Sequence, residues 1–111
     1  MASGSKVSFN IHYPDVPLLD QTEQFAKDNI FPGGSWTNHK WLEKKVSYDK
    51  HLALHEQAIL CDAITSGGLL ISMPKQEATD YINKLGNQEL LQAGIIGEVI
   101  EKRAKTIYVT T

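Results

Sequence analysis

The fold class this sequence predicts is α+β, with about four strands in one mixed sheet and helices packed mainly on one face. Three observations predict it. Val7-Ser8-Phe9-Asn10-Ile11-His12-Tyr13 alternates apolar and polar residues, the period-two signature of a strand with one buried face. Pro74 through Gly86 carries the marks of a helix at its start, face and stop. Two β-rich runs, Ile95-Ile96-Gly97-Glu98-Val99-Ile100 and Thr106-Ile107-Tyr108-Val109, flank a charged stretch near the carboxyl end.

Taken in order, the first strand closes at Pro14. After Pro17, which suits a first helical turn, Leu18, Leu19, Thr22, Phe25, Ala26 and Ile30 recur at helical spacing and predict a helix over residues 17–29. Phe31-Pro32-Gly33-Gly34-Ser35 then reads as a loop, because proline and two glycines disfavour helix and sheet interiors. Trp36 to Lys45 reads as a short helix with Ser35 as its cap. Asp49 is positioned to cap a further helix over residues 50–60, with Leu54, Ala58 and Ile59 on its apolar side. A polar turn at Thr65-Ser66-Gly67-Gly68 follows, where the glycines permit a positive φ or close approach of another group. Leu69-Leu70-Ile71-Ser72-Met73, bounded by Gly68 and Pro74, has the length and continuity of a central strand. In the next helix Glu77 lies in the first turn, Ala78, Tyr81, Ile82 and Leu85 share a face, and Lys84 precedes Gly86. The last two runs, joined by Glu101-Lys102-Arg103-Ala104-Lys105, predict an antiparallel hairpin.

With 111 residues and 41% hydrophobic content, the chain suffices for one core, and residues 1–111 read as a single domain. The formal net charge of −2 offers no excess of positive charge for a phosphate backbone or an anionic membrane, so nucleic acid and membrane are not expected partners. One cysteine, Cys61, makes no internal disulfide and no zinc quartet, which fits a reducing, cytoplasmic setting. No apolar run approaches the roughly 20 residues that span a bilayer.

The ordered motifs resemble the carboxyl-terminal domain of the selenide, water dikinase (selenophosphate synthetase) family, within the aminoimidazole ribonucleotide synthetase-like superfamily. That family carries Leu-Cys-Asp-Pro-Gln-Thr-Ser-Gly-Gly-Leu-Leu; here Leu60, Cys61, Asp62, Thr65, Ser66, Gly67, Gly68, Leu69 and Leu70 match it, with Ala63-Ile64 in place of Pro-Gln. Its Pro-Gly-Gly-Thr-x-x-Asn motif appears as Pro32-Gly33-Gly34-Ser35-Trp36-Thr37-Asn38, and its Ile-Gly-Glu-Val strand as Ile96-Gly97-Glu98-Val99.

The resemblance implies an enzyme that converts ATP, selenide and water to selenophosphate, AMP and orthophosphate, with magnesium on the nucleotide phosphates. It also implies that the reactive Cys or selenocysteine, an essential lysine and the metal-binding aspartates lie in an amino-terminal portion, including an Asp-Val-Thr-Gly-Phe-Gly motif. None of these motifs occurs here. The expectation is therefore a detached carboxyl-terminal domain, inactive alone, whose partner is the amino-terminal ATP-binding domain and which completes one wall of the cleft. The fragment is expected to be a monomer or weak dimer, and the parent a homodimer. Two alternatives stand beside this: a free-standing protein-interaction module, and the same domain from a related superfamily kinase.

Candidate site residues are Thr65, Ser66, Gly67 and Gly68, whose N–H groups suit an oxyanion, and Gly33 and Gly34 on the second glycine pair. Each set also reads simply as chain-turning, and no catalytic or metal-ligating residue is assigned. Cys61 reads as a small buried residue whose thiol pKa Asp62 would raise. His51 and His55, four apart on the expected helix, lack the glutamate of the zinc-protease pattern and a third ligand, and read as a solvated or partly packed pair. Lys40, Lys44 and Lys45 beside Trp36 and Trp41 read as an exposed helix face and not as a nucleic-acid platform.

Overall fold

The alternating segment forms β1 (Ser8–His12), which ends before Pro14 as expected; Pro14 lies in one turn of 3-10 helix, Tyr13–Asp15. The structure is a computed structural model and describes residues 1–86 and 93–111. Four helices follow the same order as the apolar periodicities: α1 (Thr22–Lys27), α2 (Gly33–Leu42), α3 (Leu54–Ile59) and α4 (Lys75–Leu85). Three more strands occur among the described residues, β2 (Val46–Tyr48), β3 (Gly97–Ile100) and β4 (Ile107–Thr110). The four strands make one mixed sheet in the order β2-β4-β1-β3, so the α+β class with a four-stranded sheet is observed.

Register explains where the core lies. β4 runs parallel to both β1 and β2, pairing Ile107 with Phe9 and Val46, and Val109 with Ile11 and Tyr48. Because side chains two apart share a face, Val46, Tyr48, Ile107 and Val109 point together. Val46 and Val109 are buried with Tyr13 and Leu52, and Leu18, Leu42, Tyr48, Leu60 and Ile107 pack around them. α3 packs between α1 and α2 to form the covering layer. β3 pairs antiparallel with β1, Val99 opposite Phe9, and Val99 is 50% exposed. The helix layer therefore covers the β2–β4 half of the sheet more fully than the β3 side.

Several boundaries differ from the periodicity. α1 begins at Thr22, five residues late, because Gln21 takes a left-handed φ of 67° that no helix continues through. It ends in a Schellman closure: Asn29 adopts φ 57°, its N–H reaches Ala26 O, and Ile30 N reaches Phe25 O at 2.8 Å. The expected loop at Gly33-Gly34 is instead the first turn of α2, with extended Pro32 as the flanking residue. Glycine costs little there, since first-turn amides have no intrahelical partner. α3 starts at Leu54 and not at residue 50, because the Asp49 carboxylate accepts from the His51 N–H at 2.9 Å and closes a separate turn. The Glu56 carboxylate accepts from the Ala53 N–H at the true helix start. His51 and His55 consequently do not share a helix.

Two strand expectations are corrected. Residues 69–73 form no strand, and Leu69 is 91% exposed. Both edges of β1 and both edges of β4 already carry partners, which leaves no interior slot in the sheet. The carboxyl-terminal runs form strands but not a hairpin, since β1 lies between β3 and β4. The intervening charged stretch is anchored over the start of β1: fully buried Ser8 donates to Lys105 O at 2.7 Å and accepts from Arg103 N at 2.9 Å. β2, which the sequence reading passed over, pairs with β4 over three residues.

Candidate functional site

Both family-like motifs meet at the start of α2, in contact through specific polar groups. Ser35 is fully buried; its Oγ donates to Asp62 Oδ1 at 2.7 Å and accepts from the Ala63 N–H at 3.2 Å. The same Ala63 N–H lies 3.0 Å from Asp62 Oδ1, giving a three-centre arrangement. One turn along α2, Asn38 Nδ2 donates to Cys61 O at 3.1 Å. A Cβ on Gly34 would lie 2.9 Å from Ala63 Cβ, so glycine there lets the helix approach the segment closely. Ser35 thus sits inside α2 as a cross-chain tie; the capping role expected for it is not observed, and no side-chain cap bond forms at that helix start.

Beneath this contact lies an aromatic run. Phe31 packs edge-on against Trp36, Trp36 edge-on against His39, and His39 stacks on Tyr48 with centroids 5.7 Å apart. Tyr48 Oη lies 3.4 Å from Cys61 Sγ, and His39 Nε2 lies 3.1 Å from Gln57 Oε1. Cys61 is buried, and burial raises its thiol pKa, with the Tyr48 hydroxyl partly offsetting it. The direction matches the sequence reading, but the cause is desolvation and not the Asp62 charge. Such a thiol is a packing group, not an activated nucleophile. Trp41 belongs elsewhere: it is exposed, with Lys45 Nζ 3.9 Å from its ring centroid, so the two tryptophans make no shared platform.

The assigned site residues divide. Gly33 and Gly34 belong to α2, Gly34 packed on Ala63 and Gly33 with open space beside it. Thr65, Ser66, Gly67 and Gly68 are exposed, and neither glycine has a positive φ. Gly67 faces Ile64, and Gly68 has open space. Among the described residues, none from 64 to 73 donates or accepts a hydrogen bond. Among the described residues, shallow surface concavities lie against Leu18, Thr22 and Lys27, and against Met73, Tyr81 and Lys84. What sequence reasoning missed is the tie itself. The spacing of Ser35 and Asn38, three apart and so on one helix face, was the available signal.

Among the described residues, a four-stranded mixed sheet is covered more fully by helices on its β2–β4 half, and an exposed polar-glycine segment follows the tie at Asp62 and Ala63, as in an α+β domain. The chain belongs to the family described as AIR synthase related protein, C-terminal domain, whose family model matches residues 1–110. It is 37% identical over 107 residues to the selenide, water dikinase of Aliarcobacter butzleri, covering 96% of this chain and 31% of that protein. It is also 37% identical over 109 residues to selenide, water dikinase 2 of Peptoclostridium acidaminophilum, and 35% identical over 109 to the Clostridium botulinum (Eklund 17B) selenide, water dikinase. Each of those matches covers 98% of this chain and 31% of the relative. The chain therefore spans about 31% of the length of these curated relatives.

Proposed function

We propose that this domain forms one wall of the catalytic cleft in a selenide, water dikinase, and that it does not turn over alone. The observation that carries the reading is the match to relatives of that name along nearly the whole chain but over 31% of their length. The exposed Thr65-Ser66-Gly67-Gly68 segment is the candidate lining, since its hydroxyls and N–H groups suit phosphoryl oxygens and no internal partner occupies them among the described residues. ATP and magnesium would be bound by the amino-terminal domain, the partner in this proposal, and the overall conversion is ATP, selenide and water to selenophosphate, AMP and orthophosphate. Closure of this domain against that partner would exclude water from phosphoryl intermediates.

The exposed side chains Leu69, Leu70 and Ile71 support a partner surface beside that segment. No helix among the described residues is long and apolar enough to cross a membrane; the setting proposed is the cytoplasm, with the parent a homodimer. Incubated with ATP, magnesium and selenide, the purified chain is expected to form no AMP above a protein-free control. Sustained, selenide-dependent AMP formation by the chain alone would overturn the reading.

A further inference from the structure

Among the described residues, Ser35 and Ser8 are the fully buried polar side chains, and each ties distant segments together. Ser8 holds the 103–105 stretch to the sheet. Ser35 holds residues 62 and 63 to α2, at a separation of 27 and 28 positions. With the Asn38 bond to Cys61 O, three consecutive residues leaving α3 are fixed by the first two turns of α2. Beyond Ala63 the described chain makes no further hydrogen bond until the Ala78 N–H reaches Pro74 O at 3.0 Å. The Ser35 tie is thus the last fixed point before the Thr65–Gly68 segment, and the direction in which that segment leaves is set there.

From this geometry we infer that Ser35 is a positioning residue. Its hydroxyl, held between the Asp62 carboxylate and the Ala63 N–H, aims the Thr65–Gly68 segment, and Asn38 supports the same aim through Cys61 O. The tie is a statement about this chain's own geometry; its consequence for turnover rests on the cleft-wall reading above. Placement matters because a displacement of about 1 Å at a group facing a reacting phosphoryl can cost roughly 100-fold in rate. Threonine keeps the hydroxyl and is the residue of the family's motif at this position, so Ser35→Thr should preserve the tie, whereas Ser35→Ala removes one donor and one acceptor at once.

The test has two arms. In the 111-residue chain, amide hydrogen exchange is read at residues 61–68 for Ser35→Ala and Ser35→Thr. Exchange at Ala63 should quicken about tenfold in the alanine variant and stay near wild type in the threonine variant. Unchanged exchange in Ser35→Ala overturns the tie. Should Ser35→Ala not fold, Asn38→Ala, at an exposed position, reads the same segment through the Cys61 amide plane and its neighbours.

In the second arm, residues 1–110 replace the matching part of the Aliarcobacter butzleri enzyme. Ser35→Ala there should lower kcat about tenfold or more per folded molecule with KM for ATP little changed, and Ser35→Thr should restore it. Loss of folded protein with unchanged kcat would mean a merely structural serine and overturn the positioning role. A chimera that is inactive with Ser35 intact would instead overturn the cleft-wall reading, leaving the exchange arm to decide the tie.

Discussion

Ser35 and Gly34 occupy one turn of helix and both meet Ala63, yet they contribute through opposite means, one by hydrogen bonding and the other by lacking a side chain. Gly34→Ala places a methyl 2.9 Å from Ala63 Cβ, a residue already tied down. We expect a loss of about 1–2 kcal/mol in urea unfolding, since overpacking forces either the helix or residue 63 to move. Gly97 is stricter, because a Cβ there would overlap the backbone carbonyl oxygen of Asn10 across the β1–β3 ladder. Gly97→Ala should cost about 3 kcal/mol or more and detach β3, measurable as lost exchange protection at residues 97–100.

Tyr13 gives a test of sign. Its hydroxyl is buried without a partner among the described residues, and burial, with smaller contributions from Glu56 and Glu23, pushes its pKa up to about 12. Tyr48 and Cys61 are raised as well, each chiefly by burial. A raised pKa means that the folded chain keeps a proton the unfolded chain releases. The stability these groups contribute is whole below their unfolded pKa and is lost as pH rises through the folded value. Unfolding midpoints should therefore fall from about pH 9 upward, where the unfolded thiol and then the phenols ionise. Tyr13→Phe should be neutral or slightly stabilising at pH 7 and should flatten the fall between about pH 10 and 12, because removing an unpartnered hydroxyl relieves a desolvation cost. A Tyr13→Phe variant that is strongly destabilised at neutral pH would contradict that account.

At the scale of elements, the sequence was most legible where local signals agreed with one another. Pro74, Glu77, the Ala78–Tyr81–Ile82–Leu85 face and Gly86 bound a helix that the structure gives as Lys75–Leu85. The period-two run at residues 7–13 became β1 for the same reason. Misreadings arose where distant contacts decide. Gly33 and Gly34 look like loop formers in isolation, but both lie in the first turn of α2, where placement against Ala63 rewards the missing side chain of Gly34. The 69–73 run has strand composition and no strand partner, because pairing is a property of the sheet and not of the run. The two carboxyl-terminal runs are legible as strands, whereas the insertion of β1 between them rests on ladders to a segment far away in sequence. The tie of Ser35 to Asp62 was present as two motifs, but nothing local says that they touch.

Element boundaries carry a prediction of their own. Asn29 closes α1 at φ 57°, where glycine is at ease and a β-branched residue is strained. Asn29→Gly should leave the thermal midpoint nearly unchanged, and Asn29→Val should destabilise by about 1 kcal/mol or more. Equal effects of the two would mean that the Schellman closure contributes little.

For the molecule as a whole, the uneven covering of the sheet and the unburied α4 belong together with the length comparison. None of the eleven α4 residues is buried, and Leu69, Leu70, Ile71 and Val99 add further exposed apolar area. A surface of this kind is what the proposed partner domain would cover, and it predicts weak self-association of the isolated chain. Ultracentrifugation should find monomers at low micromolar concentration with only weak dimers above it; a dimer that persists at nanomolar concentration would show a strong interface of its own. If this domain completes a cleft, joining it to the rest of a relative should restore turnover. ATP- and selenide-dependent AMP formation is to be compared for the chain alone, for the Aliarcobacter butzleri enzyme lacking its matching 31%, and for the two fused. Turnover is expected in the fusion and in neither part. Turnover in the truncated relative equal to that of the fusion would contradict it, since the cleft would then be complete without this domain.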